Sequence, residues 1–314
     1  MSDPTNAPTI TIGIPADIAK GIVFLLMAHL AFTGMDIGMK ALSHDLPVVQ
    51  ILFVFFLGFA MVAAFRAQRG AGIAVSLKTG RLPLHVLRAL LLPLNIGCVV
   101  IALGRLPMAE TQALGLTFPL MVTALSAPLL GERVGPVRWA AVAMGFAGAL
   151  VIVRPGFAAF DPAVLIILLG ASSFALYLIL TRMLSRTESS ERLMLFTGLI
   201  GVAVLVVPAL LLWEMPDARG WRLLALVAAG GVAGHSLVIL ALGTAPASVL
   251  QPFNFAQLLW AAIAGYLVFG DVPDRFTLIG GAIIVSSGLI VWYRERRKKP
   301  EPLSALAEAE SAAP

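Results

Sequence analysis

The sequence predicts an all-α integral membrane protein of ten transmembrane helices, arranged as two inverted five-helix repeats. Three observations predict it: an apolar excess, the length of the apolar runs, and the sidedness of the basic residues. Of 314 residues, 59% are hydrophobic and only 12% charged, against about 45–50% and about 25% in soluble domains. The apolar residues fall in runs near 48–65, 111–131, 162–181, 193–213, 244–270 and 276–293, each at or near the roughly 18-residue length that crosses a bilayer. A water-facing fold has nowhere to place them.

With one interrupting polar residue allowed per window, ten spans follow, near 20–40, 46–65, 85–104, 108–130, 136–154, 162–181, 193–213, 222–243, 247–269 and 276–293. The first is too long for a signal-peptide core and follows a polar stretch with no basic flank, so it is retained. The second to fourth are separated by the basic stretch through Arg81 and by Arg105. The fifth is the shortest, with 15 uncharged residues between Arg138 and Arg154. The sixth to tenth are bounded by Arg182 and Arg186, by Arg219 and Arg222, and by Arg275. Arg294-Glu295-Arg296-Arg297-Lys298-Lys299 closes the tenth span, and the Pro-, Ala- and Glu-rich residues beyond cannot build a core. With a cytoplasmic N-terminus, sixteen of the 22 Lys and Arg residues lie inside, and Lys40, Arg105, Arg154, Arg219, Arg222 and Arg275 lie outside. That bias supports ten spans with both ends cytoplasmic.

Several function classes are excluded at this level. The single cysteine, Cys98, allows no internal disulfide, and one cysteine with four histidines cannot build a structural zinc cluster. A pI near 9.8 would suit nucleic acid only with a concentrated basic face, and the basic residues are scattered between spans. There is no glycine-lysine phosphate loop, so direct ATP use is not expected. No cofactor and no metal are expected.

The chain repeats itself. A shift of 139 residues places Ala102-Leu103-Gly104 and Pro107 on Ala241-Leu242-Gly243 and Pro246, Leu120 on Leu259, and Gly131-Glu132 on Gly270-Asp271. A shift of 142 places Phe32, Lys40 and Leu42 on Phe174, Arg182 and Leu184. The expected organisation is a cytoplasmic tail at 1–19, repeats at 20–154 and 162–293, and a basic then disordered tail at 294–314. Five spans is an odd number, so the second repeat enters the membrane upside down, as in many secondary transporters.

These residues resemble a known family, the drug/metabolite transporter superfamily and its ten-helix EamA-type members. The resemblance covers nearly all of 20–293 and rests on Ala102-Leu103, Pro107-Met108-Ala109, Pro119, Gly131-Glu132, Gly145 and Gly148, then Ala241-Leu242, Pro246 and Gly270-Asp271. Two positions depart from it: Asp271 stands where the family has Glu, and Leu258 stands at the place matching Pro119. The resemblance implies an inner-membrane carrier of a small organic metabolite, such as an amino acid, a vitamin or a nucleoside-like compound.

Polar residues within the spans are the functional candidates. His29, Thr33, Asp36 and Lys40 share one face of the first span. The i, i+4 order of Asp36 and Lys40 favours a structural ion pair near the outer interface, with proton coupling at Asp36 as the alternative. His29 lies nine residues beyond Lys20, about 13 Å into a core roughly 30 Å thick. Asn95 lies about 10 Å beyond Arg88, while Arg88 and Glu110 fall near helix ends as interfacial anchors. Ser172, Ser173 and Tyr177 lie mid-depth on the sixth span. Gln251, Asn254 and Gln257, with Trp260 one step on, form the most polar stripe of the second half, read either as interhelical bonding or as a cavity lining. His235, on the eighth span, is either a packing residue or a proton-coupling group.

The expected function is a secondary transporter working by alternating access. His29, Asn95, Tyr177, Asn254, Gln257 and Trp260 are expected to contact substrate, and His29, Asp36 or His235 to couple protons. The largely uncharged lining favours a neutral or zwitterionic organic solute over a bare metal ion. The alternatives are an intramembrane serine hydrolase using Ser172 and His235, and a passive channel. The expected partners are a small organic solute and the lipid bilayer, with no nucleic acid; a homodimer stays open.

Overall fold

Each apolar run folds into helix, because in lipid a span must satisfy its own backbone hydrogen bonds. The computed structural model describes residues 16–70, 72–130, 135–154, 161–185, 187–245 and 247–297. The first half contains α1 (Ala16–Leu42), α2 (Val48–Arg69), the short α3 (Ile73–Ser76), α4 (Leu82–Leu103), α5 (Met108–Gly115), α6 (Phe118–Leu130) and α7 (Pro136–Val153). The second contains α8 (Ala163–Leu184), α9 (Ser190–Leu211), α10 (Ala218–Thr244), α11 (Ala247–Leu250), α12 (Ala256–Ala264) and α13 (Arg275–Arg297). Among the described residues nine segments are long and apolar enough to cross a membrane. The tenth span is the α5–α6 pair.

Two spans depart from the continuous helices expected. The fourth breaks at Leu116–Thr117, between α5 and α6. Pro119 has no N–H to donate and can enter only in the first turn of a new helix, so α6 starts afresh at Phe118, with Thr117 Oγ1 donating to Leu114 O at 2.7 Å. The ninth is composite: α11 leads into a 3₁₀ turn at Gln251–Phe255 containing Pro252, then α12, then a π-helical stretch at Gly265–Phe269. Gly270 ends it at φ +71°, a left-handed conformation that glycine adopts without strain. Gly131-Glu132, which the repeat sets opposite Gly270-Asp271, lies outside the described residues.

The helices pair as a two-fold repeat requires. The most extensive packing joins α1 to α10, α4 to α8, α2 to α9 and α7 to α13. Exchanging the halves, first span for sixth and third for eighth, turns the α1–α10 pair into the α8–α4 pair and leaves the α2–α9 and α7–α13 pairs unchanged. Because each half crosses five times, the halves run in opposite senses. The core is therefore shared between them: Phe55 and Phe56 of α2, Leu92 and Ile96 of α4, Leu205 of α9, Val227 of α10 and Ala261 of α12 pack in one cluster. Val23, Met27, Leu30, Met61, Phe65 and Leu210 face outward, where lipid covers them.

Lipid tails compete with apolar side chains on equal terms, so close backbone approach through small residues holds such helices together. At the α1–α10 contact a Cβ on Gly230 would lie 2.7 Å from Ala31 O. At the α7–α13 contact a Cβ on Gly280 would lie 2.5 Å from Gly148 O. The small stripe of Ala141, Gly145 and Ala149 is buried, and Gly145 meets Leu120 and Ser287. Gly280→Ala is expected to lower the melting midpoint of the detergent-purified protein, overpacking costing about 1–3 kcal/mol. Gly243→Ala, whose added methyl meets nothing within 4 Å, serves as the control and leaves the midpoint unchanged or higher, its stability cost not exceeding about 0.5 kcal/mol.

Candidate functional site

The helical repeat brings His29, Thr33 and Asp36 to one face of α1, and packing buries all three, at 7%, 2% and 2% exposure. The ninth span meets this face. Gln257 of α12, at 8% exposure, donates through Nε2 to Asp36 Oδ2 at 3.2 Å and approaches Thr33 Oγ1 at 3.5 Å. Gln112, delivered by the short α5, donates to the same Asp36 oxygen at 2.8 Å. Thr33 gives its own proton to His29 O at 2.9 Å, which leaves its lone pairs facing Gln257. A carboxylate thus stands within the membrane between two amide donors and without a cation among the described residues.

The same seam holds polar atoms without partners. Both ring nitrogens of His29, Oε1 of Gln257 and Nε1 of Trp260 are buried and make no hydrogen bond, although the Asn254 and Gln257 amides stand beside the His29 ring. Leaving such an atom unsatisfied costs about 1–3 kcal/mol, and their concentration in one place marks a surface built to receive polar groups. The structure therefore brings His29, Asn254 and Gln257 together, with Trp260 one turn further along α12. The side chain of Gln251 lies outside the described residues.

Lys40 does not pair with Asp36, contrary to the expectation from their spacing. Its ammonium donates to Leu106 O at 2.8 Å, lies 3.1 Å from Asp271 Oδ2 and sits 5.3 Å from the centre of the Phe269 ring. The turn at Gly270 swings Asp271 back to the end of α1, where it also accepts from Met108 N at 3.1 Å. Lys40 reaches that outer carboxylate, and Asp36 is left to the amides. Asp271 takes the structural role its place after Gly270 implies.

Asn95 and Tyr177 belong to a second polar group, between α4, α8 and α9. Asn95 Nδ2 donates to Gly170 O at 3.0 Å, and Ser173 Oγ donates to Leu91 O at 2.8 Å. Arg88 is the centre of this group rather than an interfacial anchor: it is 3% exposed because α8 and α9 cover it. Its Nε donates to Thr181 Oγ1 at 2.6 Å, Nη1 to Leu193 O at 3.0 Å and Thr197 Oγ1 at 2.8 Å, and Nη2 to Tyr177 Oη at 2.8 Å.

His235 stands apart from both groups, edge-on to the rings of Phe32 at 5.1 Å and Phe59 at 5.3 Å. Ser172 is turned to other neighbours, donating to Leu168 O at 2.8 Å and facing Met121 Sδ at 3.2 Å. Gln112 was missed in the sequence, although the 139-residue shift sets it opposite Gln251.

A family model described as "EamA-like transporter family" matches residues 19–154 and again residues 161–293. Among curated relatives, a "Riboflavin transporter" of Vibrio cholerae is 31% identical over 284 residues, covering 89% of this chain and 95% of that one. An "S-adenosylmethionine uptake transporter" of Rickettsia bellii is 26% identical over 278 residues, covering 88% and 94%. A solved crystal structure superposes with a TM-score of 0.62 at 20% identity, covering 88% of this chain and 99% of its own, a likeness of fold.

Outside the spans, the loop between α8 and α9 carries a cluster that ties the halves together. Glu188 accepts from Thr79 Oγ1 at 2.8 Å and from Arg192, and lies 3.7 Å from His85. Burial pushes its carboxyl up, but the hydrogen bonds from Arg192 and Thr79 and the charge of Arg192 outweigh that and hold it below the usual carboxylate value. A depressed carboxyl stabilises the fold above its unfolded pKa, and that contribution is lost as pH falls through the folded one. The melting midpoint of wild type is therefore expected to exceed that of Glu188→Gln near pH 6, with the gap closing below about pH 4.

Proposed function

This chain belongs to the EamA-like transporter family, and on that premise we propose that it carries a small organic metabolite across the inner membrane by alternating access. The solute is amino-acid-like or vitamin/nucleoside-like, and both termini are cytoplasmic. The observation that carries this reading is the seam around Asp36. The Asp36 carboxylate, the buried His29 ring and the amides of Gln112, Asn254 and Gln257, contributed by both halves, meet inside the membrane, a polar group of the kind that marks a solute or proton path. The relatives named for riboflavin and S-adenosylmethionine, a vitamin and a nucleoside-like compound, support the solute class.

Alternating access draws support from where the halves are tied. At one end Lys40 meets Asp271, Arg154 meets Asp274, and Gln50 exchanges hydrogen bonds with the backbone of Glu214. At the other, Glu188 holds Thr79, and Arg192 donates to Ser76 O and Val75 O. Rocking one half against the other opens one set of ties while keeping the opposite set. Asp36 takes the coupling proton in this scheme, with His29 one side of its path; His235, between two phenylalanine rings, is a packing residue. The hydrolase reading lacks support, because Ser172 and His235 stand in different surroundings and the relatives are transporters.

Reconstituted into proteoliposomes and screened against amino acids, vitamins and nucleoside-like compounds, the protein is expected to give saturable uptake stimulated by solute on the far side. A non-saturating flux would make it a channel. Asp36→Asn is expected to lower uptake driven by a pH gradient at least tenfold while sparing solute exchange at equal pH. An unchanged response to the gradient would remove Asp36 from coupling. Tags on the two termini are expected to be labelled from the same side; labelling from opposite sides would overturn the ten-span arrangement.

A further inference from the structure

Arg88 is a charge the scheme above does not use. It sits six residues into α4, about 9 Å from the helix start, at the junction of the two halves. Every acceptor around it is neutral: two threonine hydroxyls, a backbone carbonyl and a phenol. No carboxylate among the described residues pairs with it. A lone guanidinium enclosed in a span is costly, and such charges mark the path of a solute.

The cradle holds the guanidinium in one orientation. Thr181 and Thr197 give their own protons to carbonyls one turn back, Tyr177 O at 2.6 Å and Leu193 O at 2.8 Å, so both present lone pairs to Arg88. Four of the five N–H groups of the fork are then occupied. The remaining one is on Nη2. Beside it, Tyr177 Oη spends a lone pair accepting from Nη2 at 2.8 Å, which frees its own O–H to donate. Two donors on adjacent atoms, one of them cationic, are the arrangement that grips two oxygens of one anion. Tyr177 is half-buried while Arg88 is 3% exposed, so the tyrosine forms the less enclosed side of the cradle. Phe174 stacks on the Tyr177 ring at 5.8 Å, and Phe118 meets Phe174 edge-on at 4.9 Å, giving an apolar wall for the body of a ligand.

We propose that Arg88 and Tyr177 form a docking point for an anionic group, a carboxylate or a phosphate, on the transported solute. This rests on the transport reading and narrows it: the solute carries a negative charge beside an apolar portion. Because Arg88 belongs to the first half and Tyr177 to the second, an anion bound to both spans the surfaces that move past each other.

The test uses the full chain in neutral maltoside detergent, with benzoate, its uncharged amide benzamide, and inorganic phosphate as probes. Benzoate and phosphate are expected to raise the melting midpoint saturably, and benzamide to leave it unchanged. Tyr177→Phe is expected to weaken the apparent affinity for benzoate about tenfold, the loss of one charge-assisted hydrogen bond, and Arg88→Gln to abolish the response. If Arg88→Gln does not fold, Tyr177→Phe decides alone. An equal response to benzoate and benzamide, or an unaltered benzoate affinity in Tyr177→Phe, overturns the proposal. So does a midpoint shift from added phosphatidylglycerol that benzoate cannot compete away, which assigns the site to a lipid headgroup. None of these readouts requires flux, so failure of the docking point is distinguishable from absence of saturable uptake, which would sink the transport reading instead.

Discussion

The hydrocarbon around this protein offers no hydrogen bonds, and the carboxylate of Asp36 sits where that constraint is most severe. Gln112 and Gln257 both turn their amide nitrogens to the same carboxylate oxygen. Gln112 comes from α5, which ends at Gly115, and Gln257 from α12, which begins after a tight 3₁₀ turn. The irregular backbone of both central spans is thus coupled to the position of one acidic group. Irregular helix is tolerated at membrane depth only where protein or water covers it, and here α1 packs on the turn and α12 of the ninth span while α8 and α12 pack on α5.

What a bilayer dictates was legible in the residues, and what tertiary contact dictates was not. Span number and order follow from length and hydropathy, and the polar stripe of the ninth span was visible as Asn254, Gln257 and Trp260 at successive i+3 positions. The break in the fourth span was signalled by Gly115 and Pro119, yet a window scan runs through both. Asp36 and Lys40 were misjudged for a definite reason: spacing along a helix reports which side chains are near, not which distant chain arrives to compete. The competitor was Asp271, carried to Lys40 by a turn that only the folded chain displays. Arg88 was misplaced by a similar error, since depth counted along α4 takes no account of α8 and α9 lying over it.

The two halves share a fold but not a lining. At the shift of 142, His29, Thr33 and Asp36 fall on Ala171, Ala175 and Leu178; at 139, Gln257 and Trp260 fall on Phe118 and Met121. The counterpart of the polar seam is accordingly apolar: Ala171, Ala175 and Met121 pack in one cluster with Phe118 beside them. Arg88 has the same kind of counterpart in Val227, which is buried against α1. Among the described residues both buried charges of these two groups, Asp36 and Arg88, come from the first half, so the halves share the scaffold while the interior charge lies on one side of the repeat.

That inequality bears on the resting balance of the molecule. Were the halves identical, exchanging them would convert the conformer open to one compartment into the conformer open to the other, and symmetry alone would make the two equally populated. Here the exchange does not carry the side chains onto one another: the seam around Asp36 holds an acid, an imidazole and three amides, and among the positions matching it are alanine, methionine and phenylalanine. With side chains this unequal, no symmetry of the backbone requires two such conformers to be equally populated.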